Sequence, residues 1–173
     1  PDFYKPFSTE KATESSIIDT NETSTSLNSN DTLFVHYIDV GQGDSVLIRQ
    51  GSYTMLIDAG ENNQGSTVVS YLNKIGINKI DYLIGTHPHS DHFGGLDTVI
   101  DTFEVTNAII PDVAHTTKSY EDFIDALLDN EVYTSPATAG TTFSLGKANF
   151  KILAPNSDYY DDLNNYSVVI RVE

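Results

Sequence analysis

The sequence of 173 residues contains no cysteine and no tryptophan, and it carries nine Lys and Arg against twenty-five Asp and Glu. Each shortage excludes something. Without cysteine there is no disulfide, no thiolate-held zinc and no thiol nucleophile, so any metal must be held by imidazole and carboxylate. The formal net charge of -16 repels polyanions at long range, which excludes general electrostatic capture of nucleic acid. A nucleic acid bound here needs a local device such as a metal ion. No window approaches the ~18 uninterrupted apolar residues of a membrane span, so no membrane insertion of this domain is expected. What is present suffices for a core: 39% of residues are hydrophobic and 10% aromatic, which excludes wholesale disorder.

The first segment differs from the rest. From Ser8 to Asp31 the residues are mostly Ser, Thr, Asn, Asp and Glu, with Ile17, Ile18 and Leu27 as the sizeable apolar groups. Residues 1–31 therefore read as a flexible acidic tether and 32–173 as the domain proper. Opening on Pro1 rather than Met, the chain reads as a processed or cut product. Its end, VVIRVE, has the β-branched alternation of a strand interior with no turn signal after it, and reads as a truncation.

Three strand-like runs, LFVHYIDV, DSVLIRQ and YTMLID, are separated by the turn signals GQG and QGS and predict an antiparallel meander. Val68, Leu72 and Ile75 then recur at helical spacing, with Gly76 as the C-terminal cap. DYLIGT is a short strand leading into HPHSDHFGG. Leu96, Val99, Ile100 and Phe103 mark a second helix and VTNAIIP a further strand. Tyr120, Phe123, Ile124, Leu127 and Leu128 mark a third helix, followed by strands at TFSL, FKILA and VVIRV. Strands alternating with helices after an antiparallel opening predict an α/β (α+β) sheet with helices packed on it.

The chemistry concentrates in THPHSDH. His87, His89, Asp91 and His92 bring three imidazoles and a carboxylate together directly after a strand, a donor set suited to Zn²⁺ or Mn²⁺ where thiolates are absent. In extended chain His87 and His89 share a face and chelate one ion, while Asp91 and His92 turn toward a neighbouring one. Two such ions lower the pKa of a shared water and polarise a carbonyl or phosphoryl oxygen. Gly94 and Gly95 after them are expected to let the backbone turn tightly.

THPHSDH resembles the HxHxDH signature of the metallo-β-lactamase superfamily. YIDVGQGDSVLI, TMLIDAG, VVSYLNKIGINKIDYLIGTHPHSDHFGGL and LNNYSVVIRV extend the resemblance to the branch containing the hydrolase domain of bacterial competence, or DNA-uptake, proteins. It implies an αββα sandwich, present here as an N-terminal portion with the second sheet incomplete. It makes His87 and His89 ligands of a first metal, and Asp91 and His92 ligands of a second. It has Asp91 also touch the nucleophilic water, and it counts Asp58, in LIDAG, with Asp91 among the catalytic residues, at an acidic position that supports the metal loop. The turn between Asp39 and Asp44 would border the pocket, though both also read as turn-forming carboxylates.

Two departures from the superfamily pattern bear on the site. Where a third metal-binding His is usual, this sequence reads DDLNNYS, with Asn164, Asn165 and Ser167. A later segment with a bridging aspartate and a further histidine is not among these residues. Two ions in a complete parent site, with weak or partial occupancy in this chain, are therefore expected. A bare apolar sheet face is also expected, covered by a homodimer or by strand exchange. Elsewhere, His36 reads as a satisfied strand residue. The polar stretch at His115 before the third helix reads either as a contact for an anionic substrate or as a plain helix N-cap by Thr117 or Ser119, and Asn165 and Ser167 read as further substrate contacts. Tyr159 and Tyr160 read as a substrate wall or an exposed loop.

The resemblance implies a metal-dependent hydrolase using a metal-bound hydroxide, acting on a small or polymeric phosphodiester, nucleic acid or envelope-related. The alternatives are an inactive fragment serving as a binding module, and a thioester or lactone hydrolase. The expected location is extracellular or in the cell envelope, the alternative being cytoplasmic.

Overall fold

A computed structural model describes residues 32–172; the expected tether lies outside the described residues. The meander forms as read: β1 (Leu33–Tyr37), β2 (Val46–Gln50) and β3 (Tyr53–Ile57) pair antiparallel in sequence order. The chain then crosses over through α1 (Gly65–Lys74) to β4 (Lys79–Ile84), which lies parallel to β3. Gly76, at φ +76°, ends α1 in the left-handed conformation, its N–H bonding to Asn73 while that of Ile77 bonds to Leu72. That is the paired closure expected of a glycine C-terminal cap.

The short helices α2 (Ser90–Phe93) and α3 (Leu96–Ile100) lead to β5 (Glu104–Ile110), and α4 (Lys118–Asp129) leads to β6 (Tyr133–Pro136). These complete a six-stranded sheet in the order β1-β2-β3-β4-β5-β6, parallel from β3 onward. A hairpin of β7 (Thr142–Leu145) and β8 (Ala148–Ala154), joined by β9 (Val169–Val172), forms a second, three-stranded antiparallel sheet.

Alternation along the strands divides the interior in two. Leu47, Leu56 and Leu83 face Val68 and Leu72 of α1, Leu96 and Val99 of α3, and Phe123 and Leu127 of α4. Their neighbours Ile48, Met55 and Ile84 point the other way and meet Leu145, Phe150 and Ile152 of the small sheet. One-residue alternation is the reason each strand serves both cores.

This corrects the expectation of a bare apolar face on the large sheet. Met55 and Phe150 are both 0% exposed, because the β7–β8 hairpin and β9 already lie over it. Apolar groups that remain open include Phe34, Val35 and Tyr37 on the edge strand β1, Leu128 on α4, and Leu153, Val169 and Val172 on the small sheet.

Candidate metal centre at the carboxyl edge of the sheet

Because β3 and β4 run parallel, the residues after each emerge side by side. Asp58 follows β3 and Thr86 follows β4, with the Asp58 N–H donating to Ile84 O at 2.9 Å. Asp58 is 1% exposed and sits at φ 56°, a conformation that aspartate tolerates better than most residues. Its Oδ1 accepts from the Thr86 N–H at 2.8 Å, and its Oδ2 from the Thr86 hydroxyl at 2.5 Å and from His92 Nδ1 at 2.8 Å. All of this carboxylate is thus spent on holding the loop. Asp58 positions His92 and does not face a substrate.

The loop itself is tied on both sides. His92 O accepts from the Ala59 N–H at 3.0 Å and Asp91 O from the Asp44 N–H at 3.3 Å, so the turn after β1 packs against the start of α2. Gly43 makes that approach: a Cβ there would lie 1.8 Å from the Asp91 carbonyl oxygen. Gly95 serves similarly, with a hypothetical Cβ 2.5 Å from Ala59 O. Gly94 and Gly95 have ordinary right-handed φ values of -57° and -93°, which corrects the tight-turn reading. Their smallness is required by close backbone approach.

Within this frame the His87 ring lies 4.8 Å from that of His89 and 4.1 Å from that of His92, centroid to centroid. Burial, then the neighbouring His92, lowers the pKa of His87. For His92 burial works in the same direction, but the Asp58 hydrogen bond and charge, with Asp91 and Asp44, outweigh it and raise the pKa. Asp91 is held below the usual carboxylate range: burial pushes it up, and the Gln42 side chain, donating to Oδ2 at 3.2 Å, with His92 pulls it down. The site therefore favours a neutral His87 beside an ionised Asp91.

The remaining expected residues divide. Ser167 reaches the centre, its Oγ 3.3 Å from His87 Nδ1 while donating to Asn164 O at 2.6 Å, and the Val168 N–H bonds to Thr86 O at 2.9 Å. Asn165 stands exposed on the 3-10 helix Leu163–Tyr166, its backbone N–H donating to Asp162 O. The His115 ring lies 6.3 Å from that of His89, and its Nδ1 accepts from the Thr117 N–H at 3.2 Å. Thr117 occupies the N-cap position of α4 but makes no capping bond from its side chain, since its hydroxyl meets His115 instead. Asp39 accepts from the Gly41 N–H, as a turn-forming carboxylate does. His36 bonds through Nδ1 to the Tyr71 hydroxyl at 2.8 Å, while its buried Nε2 has no partner among the described residues. The satisfied-residue reading of His36 holds for one ring nitrogen only. Sequence reasoning missed Thr86 and Gln42; the hydroxyl immediately before the first histidine and the amide inside the GQG turn were the available signals.

The donors suit a divalent cation in kind. With Nδ1 of His92 occupied by Asp58, Nε2 is the nitrogen left for a ligand, 3.9 Å from Asp91 Oδ2. Among the described residues, however, no three His, Asp or Glu side chains converge closely enough to hold an ion. The histidine loop is an oriented but open donor set.

Comparison with known proteins settles the family. A family model described as the metallo-beta-lactamase superfamily matches residues 38–152. The chain belongs to the metallo-β-lactamase superfamily. Its curated relatives include Recombination protein 2 of Haemophilus influenzae, 28% identical over 144 residues, covering 80% of this chain and 16% of that protein. Competence protein ComA of Neisseria gonorrhoeae is 40% identical over 62 residues, covering 35% of this chain and 9% of that one. The resemblance to the competence branch is thereby borne out, and the chain spans only a small fraction of the length of these relatives. A metallo-β-lactamase from Cronobacter sakazakii superposes with a TM-score of 0.52 at 20% identity, over 69% of this chain and 50% of the other. That likeness shows the fold. The α/β layering expected from sequence is the layering of this superfamily, with a second, smaller sheet of three strands among the described residues.

Proposed function

We propose that this domain belongs to a metal-dependent hydrolase of phosphodiesters. The observation that carries the reading is the Asp58–His92 contact of 2.8 Å at the end of two parallel strands. A buried carboxylate committed to one imidazole nitrogen is the arrangement that orients a metal-binding histidine and fixes its tautomer. His87, His89, Asp91 and His92 would hold one or two ions, Zn²⁺ or Mn²⁺ by donor type. Such an ion supplies Lewis acidity and a water of lowered pKa. The chain's own contributions are separate from that: Asp58 and Thr86 fix the loop, Gln42 keeps Asp91 ionised and aimed, and Ser167 steadies His87.

The phosphodiester class is supported by similarity to competence-type relatives. An extracellular or cell-envelope location is part of the same reading, supported by the polar composition of residues 8–31. A second reading, a binding module without turnover, is favoured by one observation: no three ligands converge among the described residues. The test is to assay the full-length gene product with Mn²⁺ or Zn²⁺ on bis(p-nitrophenyl) phosphate beside a thioester. Metal-dependent cleavage of the diester alone is expected. Metal uptake with turnover of neither substrate would establish the binding module, and cleavage of the thioester alone would establish the thioesterase alternative.

A further inference from the structure

A cleft of about 430 Å³ opens at the carboxyl ends of β5 and β6, on the same sheet edge from which the histidine loop leaves β4. Its size falls in the ~300–1,000 Å³ range of small-molecule sites. Asp112 lies just after β5, Pro136 and Ala137 at the end of β6, and residues 155–158 after β8 close the far side over Tyr166. Neighbouring strands are ~4.8 Å apart, so the cleft is one to two strand spacings from the loop that follows β4. A direct link exists as well: Tyr166 lines the cleft, and the next residue, Ser167, reaches His87.

The lining decides what fits. Tyr166 is buried, with its hydroxyl accepting from the Tyr160 N–H at 3.0 Å and its ring edge-on to Tyr160. With Pro136, Ala137 and Pro155 it makes an apolar floor. Asn156 Oδ1 is occupied by the Tyr160 hydroxyl at 2.8 Å, which leaves its amide N–H groups to donate. Asp112 and Asp158 supply carboxylates that accept no hydrogen bond from any described residue, and no Lys, Arg or His lines the cleft. A planar, uncharged group with its own donors and acceptors satisfies such a wall, whereas a phosphate meets two like charges and no cation.

Resting on the phosphodiester reading above, we propose that this cleft is the subsite for the nucleoside adjoining the scissile phosphate, and that its carboxylates reject a further phosphate. The substrate is then a short or terminal phosphodiester rather than the interior of a long strand. The experiment is an amide-resolved NMR titration of the ¹⁵N-labelled, metal-free chain with thymidine and, separately, with thymidine 3′,5′-bisphosphate. Thymidine should shift the amides of Thr138, Asn156 and Asp158, and the bisphosphate should bind about tenfold more weakly at low salt. In an Asp112→Asn, Asp158→Asn variant, both exposed substitutions on loops, the two ligands should bind within about twofold of each other. Thymidine shifts absent from the cleft, or equal binding of both ligands to the unaltered chain, would overturn the inference. Failure of diester turnover with the cleft shifts intact would instead sink the hydrolase reading and leave the nucleoside site standing.

Discussion

Replacing Asp58 separates holding the loop from holding the tautomer. Asp58→Ala removes three acceptor contacts at once: in a part-buried place the Thr86 N–H loses its acceptor, and the Thr86 hydroxyl keeps only the longer contacts to His87 and His92 Nδ1 at 3.2 and 3.5 Å. At ~1–3 kcal/mol for each buried group left unpaired, plus a strain of about 1 kcal/mol for alanine at φ 56°, the loss should be about 4 kcal/mol. Asp58→Asn has the same shape, tolerates the left-handed φ, and still accepts from the Thr86 N–H through Oδ1. Its amide must donate where the carboxylate accepted, so His92 Nδ1 becomes the acceptor and the proton moves to Nε2. The cost should be about 2 kcal/mol, with metal affinity falling ~10- to 100-fold because the nitrogen that would bind is now protonated.

The pH dependence follows from the raised pKa of His92. A histidine whose folded pKa exceeds its unfolded value contributes stability fully below about pH 6.5, and loses it as pH rises through the folded value. The stability gap between the wild-type chain and Asp58→Asn should therefore be wider at pH 6 than at pH 9. Urea unfolding at both pH values gives the gap, and long-range ¹H–¹⁵N correlation of the imidazole gives the tautomer without any metal. A variant that keeps the proton on Nδ1 of His92, or whose gap widens with pH, would refute the assignment of Asp58 as the residue that orients it.

Gly43→Ala should be among the most damaging single-methyl additions, because the new carbon would sit 1.8 Å from the Asp91 carbonyl oxygen at a backbone φ of +98°. A loss of ~3 kcal/mol or more in chemical unfolding, with altered His92 resonances, is the expected outcome. Phe150→Ala, at a side chain 0% exposed between the sheets, should cost about 3–5 kcal/mol and raise dye binding to exposed apolar surface. His36 has a pKa lowered by burial and by Arg49, so the unfolded chain takes up its proton more readily and stability falls as pH drops below about 6.5; His36→Gln should flatten that acid limb in urea midpoints measured between pH 5 and 8. Binding of a single-stranded oligonucleotide to the metal-loaded domain should not show the steep fall with salt of a basic DNA-binding protein, as filter binding from 50 to 300 mM NaCl would reveal.

The sequence carried much of this site because its chemistry is local. Three histidines and an aspartate within six residues needed no knowledge of topology, and the strand before them placed the loop at a sheet end. Asp58 was visible through resemblance, yet its partners were not, because Thr86 lies 28 residues away and meets it only once β3 and β4 pair in parallel. The same non-locality hid the second sheet's position. TFSL and FKILA read plainly as strands, but that Phe150 would cover Met55 depends on packing between sheets rather than on any pattern along the chain. The edge strand β6 escaped notice for a different reason: it is short, largely exposed and ends in Pro136, so neither alternation nor hydrophobicity announced it.

The charge distribution now gives the opening excess of acid a spatial meaning. Lys79 begins β4, at the opposite end of the strand from the histidine loop, and is engaged by Asp81 and Glu104. Lys118, nearer the site, is held by Asp122 one helical turn along α4. Both cations are thus paired within the protein, while the exposed Asp44 and the half-buried Asp91 each bring a carboxylate oxygen to 3.9 Å from His92. On the function proposed above, attraction for a phosphodiester at this edge would come from an ion held by the loop, at a distance of a few ångströms where its field exceeds that of the acidic surface. Such an attraction falls off within a Debye length, so it acts on the group at the centre, and the acidic surface beyond it still opposes a long polyanionic chain.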